Sequence, residues 1–246
     1  MNSFGSSFLK MWGRASPHIA LLCMMYVVSH GASAQFEGVV EIWNKTTTDE
    51  TGAAFEYITK MTIKGMLVHV HTTPSGDTPA STMIYRTDRG LFWILNEEER
   101  SYFEVRTLGG RGGELPESLP TRDTLQFHPT GKHRTILGYR AEQYLAEEGE
   151  RRIEIWGTTG LQSLANALAQ VFEAAQGEES APWNDELASR GIFPLISRFS
   201  LNDLVVESSE VRRITPQAVP AELFLLPKGY RKVSVDELFE DPPRRP

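Results

Sequence analysis

The chain of 246 residues contains a single cysteine, Cys23. One thiol cannot form an intramolecular disulfide, so the fold must rest on its packed core, even in an oxidising compartment. Basic residues are also scarce: 25 Lys and Arg stand against 32 Asp and Glu, a net charge of −7. That balance argues against nucleic acid and anionic membrane surfaces as partners. The apolar run from Ile19 to Val28 is too short to cross a bilayer. No G-x-S-x-G nucleophile elbow occurs, and no histidine-containing catalytic pattern is visible. Gly109-Gly110-Arg111-Gly112-Gly113 has the composition of a nucleotide loop, but no Lys-Ser or Lys-Thr pair closes it and no helix pattern follows, so it reads as a mobile loop. What is present is ordinary for a globular protein: 40% hydrophobic and 23% charged residues, and a length sufficient for one domain with a substantial core.

The first 34 residues read as a secretory signal. Lys10 and Arg14 give a positive n-region, Ile19 to Val28 an apolar h-region, and Ala32-Ser33-Ala34 an A-x-A cleavage site, which places the mature start at Gln35. Cys23 lies inside this segment, and Leu22 before it is too large for a lipoprotein signal, so the mature chain is expected to have no thiol. Without Lys10 and Arg14 the net charge moves from −7 to −9. The expected destination is the periplasm or the exterior, with no stable membrane span after cleavage.

The remainder is organised around Thr135 to Gln176. Leu137, Tyr139, Ala141 and Leu145 alternate with Arg140, Glu142 and Ala146, then Glu147-Glu148-Gly149-Glu150 turns the chain into a second strand bearing Ile153 and Ile155. Beyond Thr158-Thr159-Gly160 the period becomes helical: Leu161, Leu164, Ala165, Leu168, Val171, Phe172 and Ala175 form one apolar stripe. Thr159 and Gln162 fit a capping box, and Gly177 fits a helix stop. Short strands fill the rest: Phe36 to Thr47, Phe55 to Lys64, Met66 to His71, Thr82 to Arg86, Leu91 to Asn96, Ser101 to Val105, Pro194 to Leu201, Leu204 to Ile214 and a last one near Tyr230. Leu91 to Leu95 is apolar on both faces, as expected of a strand covered on both sides. Asn184 to Arg190 reads as a short helix closed by Gly191, and residues 241–246 as a disordered tail. The expectation is an α+β protein in which residues 35–240 form a single domain. Its curved antiparallel sheet of about ten strands would be covered on the concave side by one long helix and one short one.

Chemistry is sparse. His69 and His71, at i and i+2 on a strand, point to one side and supply half of a metal site. His128 and His133 lie on another segment without metal-like spacing. Glu97-Glu98 and Glu147-Glu148 fall in turns, where solvated charge is the ordinary reading. Trp43, Tyr57, Met61, Met66, Trp93, Phe103 and Trp156 supply large apolar surface, part of which could line a pocket between sheet and helix.

Several short motifs then carry a resemblance. Phe36-Glu37-Gly38, Ile63-Lys64-Gly65, Ile136-Leu137-Gly138-Tyr139, Glu154-Ile155-Trp156, Gly191-Ile192-Phe193-Pro194-Leu195 and Leu223-Phe224-Leu225-Leu226-Pro227-Lys228-Gly229-Tyr230 occur in that order. In these the chain resembles a bacterial envelope family, the domain of unknown function 4412, and more distantly the periplasmic lipoprotein carriers of the LolA and LolB type. The resemblance implies a half-open antiparallel β-barrel with helices on its concave side, and an apolar ligand such as a lipid or a lipoprotein acyl chain. It assigns no binding residue. Strand parity alone nominates Met61, Ile63, Met66, Val68, Val70, Leu91, Trp93 and Phe103 as lining residues of a non-enzymatic binding protein without cofactor or metal. Two alternatives are a structural module of the envelope with a dry core, and a metal-dependent hydrolase using His69 and His71.

Overall fold

Alternation of apolar and polar residues dominates the chain after Gln35, and in the computed structural model the described residues accordingly form twelve strands in one sheet. It describes residues 35–47, 53–76, 80–106, 126–176, 182–234 and Glu237. The chain divides at Ala34 into two units, residues 1–34 and 35–246. The signal-peptide reading, the Gly109–Gly113 loop, the Gly177 stop and the 241–246 tail all lie outside the described residues.

The strands are β1 (Glu37–Thr47), β2 (Ala54–Lys64), β3 (Leu67–Pro74), β4 (Ser81–Arg86), β5 (Leu91–Asn96), β6 (Ser101–Arg106), β7 (His128–Ile136), β8 (Tyr139–Glu148), β9 (Arg151–Thr158), β10 (Phe193–Leu201), β11 (Leu204–Pro216) and β12 (Arg231–Lys232). They lie in the order β12-β6-β5-β4-β3-β2-β1-β11-β10-β9-β8-β7, an open, curved sheet that is antiparallel except where β12 joins β6. The last strand expected near Tyr230 is β12, and the strand that the expectation of about ten lacks is β7, whose Thr130–Lys132 bulge looks like a turn in sequence. The long helix of the sequence reading is also corrected: α1 (Gln162–Gln176) has only 15 residues, and α2 (Pro182–Ser189) has 8. A type I′-like turn with Leu137 and Gly138 at positive φ closes the β7–β8 hairpin, and Asn202 and Asp203 do the same between β10 and β11.

Three apolar clusters hold the sheet. In the first, Leu161, Leu164, Ala165, Leu168 and Val171 of the α1 stripe pack on Val40, Met61, Ile63, Val68, Leu195 and Val211. In the second, Leu187 and Ile192 pack with Phe127, Tyr144, Ile153 and Ile155. Here α2 ends in a Schellman motif. Gly191 N–H donates to Ala188 O and Ile192 N–H to Leu187 O, both at 2.9 Å, with Gly191 at φ 66° and the Leu187–Ile192 contact beneath it. In the third, Val219 and Phe224 of the returning C-terminal segment cover Ile84, Leu91, Trp93 and Leu95.

Candidate functional site

Register assigns every side chain of β1–β6 to one of two faces, because directly paired residues point the same way. Val40 pairs with Met61, Met61 with Val70 and Ile63 with Val68; Val68 then pairs with Tyr85 and Val70 with Met83. The row continues through Tyr85–Phe92 and Met83–Ile94 to Phe92–Val105 and Ile94–Phe103. This is the face on which α1 packs. The other face carries Leu67, His69, His71, Thr82, Ile84, Arg86, Leu91, Trp93, Leu95 and Glu104, and over its β3–β6 part lies the strap, residues 217–233.

Charged and hydrogen-bonding side chains fix the strap at successive points. Lys64 Nζ donates to Val219 O at 2.8 Å and to Glu37 Oε1 at 3.1 Å, while Val219 N–H donates to that same Glu37 oxygen at 2.6 Å. These contacts hold the Glu37 carboxyl below its ordinary pKa, the Val219 N–H contributing most. Arg86, buried, forks onto Asp88 at 2.8 and 2.7 Å and donates to Phe224 O at 3.2 Å. Glu104, its side chain 11% exposed, accepts from Lys232 at 3.0 Å, Trp93 Nε1 at 3.2 Å and Arg106 at 3.0 Å. Those donors, Lys232 first, lower its pKa to about 2.

On one face of the β3–β6 region the strap therefore buries Ile84, Leu91, Trp93 and Leu95. On the helix-side face of the same strands Val70, Met83, Tyr85, Phe92, Ile94, Phe103 and Val105 are all half-buried. Tyr85 stacks on Phe92 with ring centroids 5.3 Å apart, and its hydroxyl donates to Met83 Sδ at 3.4 Å. Burial pushes the Tyr85 phenol above its ordinary pKa, so it is neutral at physiological pH. Val70 and Tyr85 pack against the edge of the α1 core, and the aromatic, thioether and aliphatic row that runs from them to Val105 is the candidate site.

The nominated lining residues divide. Val70 and Phe103 lie on this surface. Met61, Ile63 and Val68 share its face but are packed beneath α1. Leu91 and Trp93 are corrected to the opposite face, where the strap buries them. Leu91 pairs with Arg86 and Trp93 with Ile84, whereas Phe103 pairs with Ile94. Met66 is in the turn before β3 and exposed, not on the strand. Met83, Tyr85, Phe92, Ile94 and Val105 were missed. The signal for them was the alternation of Met83 and Tyr85 with Thr82 and Ile84, together with the both-sided apolarity of β5.

His69 and His71 do share a face, opposite the apolar surface. His71 Nδ1 lies 2.9 Å from Thr82 Oγ1, which donates to Glu97 Oε1 at 2.7 Å. Burial first, and then the charge of His71, lowers the pKa of His69. Among the described residues no three His, Cys, Asp or Glu side chains converge as a metal centre. An open cleft of about 500 Å³ beside β7 and β8 is lined by Gln126, His128, Thr130, Leu145, Glu147 and Glu148, away from the apolar surface.

The model of the family described as Domain of unknown function (DUF4412) matches residues 36–230. No curated protein matches the chain. Among solved structures, it is similar to an uncharacterized conserved protein from Thermus thermophilus, with 9% identity and a TM-score of 0.46 over 80% of this chain and 90% of that one. PNGF-II aligns at 13% identity and a TM-score of 0.38, over 81% of this chain and 32% of its own. A LolA superfamily protein from Nitrosomonas europaea aligns at 10% identity and a TM-score of 0.31, over 78% of this chain and 90% of its own.

Proposed function

The chain belongs to the DUF4412 family, and on that premise we propose that it is an exported, non-enzymatic binding protein that holds an apolar ligand, a lipid or an acyl chain, on the helix-side face of β3–β6. The observation that carries this reading is the half-buried surface from Val70 to Val105. Contiguous apolar area of this kind marks an interaction site when the rest of the core is covered. Here the strap buries Ile84, Leu91, Trp93 and Leu95 on the other face of the same strands. On this reading the face forms the concave side of the curved sheet, with α1 packed beside it. The surface offers the flat rings and adaptable thioether that suit alkyl chains. Among its described residues the one titratable group is Tyr85, which stays neutral and suits an apolar ligand. Export rests on the n-region, h-region and A-x-A pattern of residues 1–34. Among the described residues no helix is long and apolar enough to cross a membrane.

The test is titration with a fluorescent fatty acid, alongside native mass spectrometry of protein purified without detergent. Ile94→Asp and Phe103→Asp place a charge on the open surface and weaken uptake by at least about tenfold, one misplaced charge costing more than the roughly 1.4 kcal/mol that tenfold represents. Wild-type protein that takes up no probe and emerges with a clean apo mass would overturn the reading.

A second reading, an interaction module of the envelope, is favoured by the β10–β11 tip. Leu204 is 68% exposed beside Val205 and Leu201, around the tight Asn202–Asp203 turn. A stable dimer in light scattering that dissociates in Leu204→Ser would support it.

A further inference from the structure

We propose that His69 and His71 chelate a single borderline divalent cation, Cu²⁺ or Zn²⁺, on the strap-side face of β3, independently of the apolar surface. Two residues apart on a strand, the histidines stand on one side of the sheet about 7 Å apart along the chain. Two imidazoles at that spacing can reach one ion at about 2 Å from each nitrogen. Both are partly accessible, so an ion has a path in from solvent.

The neighbouring contacts settle which nitrogen is free. Thr82 is buried at 3% exposure, and its one hydroxyl proton is donated to Glu97 Oε1 at 2.7 Å. The His71 Nδ1 2.9 Å away must then be the donor to Thr82 Oγ1. This leaves the Nε2 lone pair for a ligand. A carboxylate acting through a hydroxyl on the far nitrogen orients a metal-binding imidazole and raises its basicity. Across β2, Lys60 pairs with His71 and Thr62 with His69; across β4, Ile84 pairs with His69. The charge of Lys60 opposes a cation, and that of Glu97, 3.9 Å from His71 Nδ1, offsets it. With two protein ligands the remaining coordination positions fall to water, and imidazole donors favour Cu²⁺ over Zn²⁺.

The experiment is calorimetric titration of the untagged full chain with Cu²⁺ at neutral pH, with electron paramagnetic resonance on the 1:1 sample. One ion per chain and a spectrum with two nitrogen ligands are expected. His69→Gln and His71→Gln each remove the two-nitrogen signature, and the double variant removes stoichiometric binding. Thr82→Val weakens binding by about 10- to 100-fold without changing the ligand set. His128→Gln and His133→Gln leave it unchanged. Circular dichroism confirms that the variants fold. The proposal is overturned if the wild type takes up no stoichiometric ion, or if binding survives in the double variant.

Discussion

Among single residues, the clearest electrostatic commitment is Glu104. Its folded pKa of about 2 lies below the ordinary 4.5, so the native state holds this carboxylate ionised more firmly than the unfolded chain does. The stabilisation is fully present above pH 4.5 and is lost as pH falls through that value toward 2. Lys232 and Arg106 are 54% and 69% exposed, so water screens part of the interaction. Glu104→Gln should cost about 1–2 kcal/mol at pH 7 and almost nothing near pH 2, read by urea unfolding at both values. An equal loss at the two values would mean that packing, not charge, holds Glu104. The residues that carry the family resemblance have similarly structural tasks. Glu37 and Lys64 grip Val219, Phe224 is buried under the grip of Arg86, and Ile192 fills the space over Gly157, its Cγ2 2.3 Å from where a Cβ there would lie. None of them belongs to the apolar surface, which explains why matching motifs pointed to the fold and not to the site.

Of the structural elements, the strap is the part least visible in sequence. Residues 217–233 have neither a two- nor a 3.6-residue period, and only two of them, Arg231 and Lys232, reach strand geometry. Its worth lies in tertiary contacts. Phe224→Ala should cost about 3–5 kcal/mol in denaturant unfolding, as expected for emptying a fully buried aromatic site. The same change should make the strap the first point of proteolytic cleavage; wild-type resistance there would show that the other anchors suffice. By contrast, the α1 stripe and the faces of β2 and β3 were readable, because Met61 and Ile63, and Val68 and Val70, alternate with polar residues such as Lys60, Thr62 and His69. The error fell on β5. A strand apolar on both sides has no parity signal, so Leu91 and Trp93 could be joined with Phe103 only by guessing a register that the Asn96–Ser101 connection sets differently. Part of the nominated site was thereby assigned to residues that the strap seals.

Across the full width of the sheet, two meanders, β1–β6 and β7–β11, are joined along the β1–β11 ladder. The paired residues there, such as Gly38 with Pro216, are far apart in sequence, so the ladder can form only once most of the chain is in place. The α1 core spans the same seam, Val40 on one side and Val211 on the other. Gly38 sits at its tightest point: an added Cβ would lie 2.4 Å from Thr215 O, a backbone atom held in the ladder. Gly38→Ala must push β1 off β11, at a cost of about 1–3 kcal/mol. If the seam couples the meanders, hydrogen exchange should show the amides of β4–β5 and β8–β9 losing protection by the same amount in this variant, although neither pair touches Gly38. Protection lost on one side only would mean that the meanders fold as separate units. In that case the half-buried surface of β3–β6 would have to keep its shape without support from β7–β11. Equal loss ties that surface to the entire sheet, so a destabilising change anywhere along the seam should weaken the uptake of an apolar ligand in proportion to the unfolded fraction.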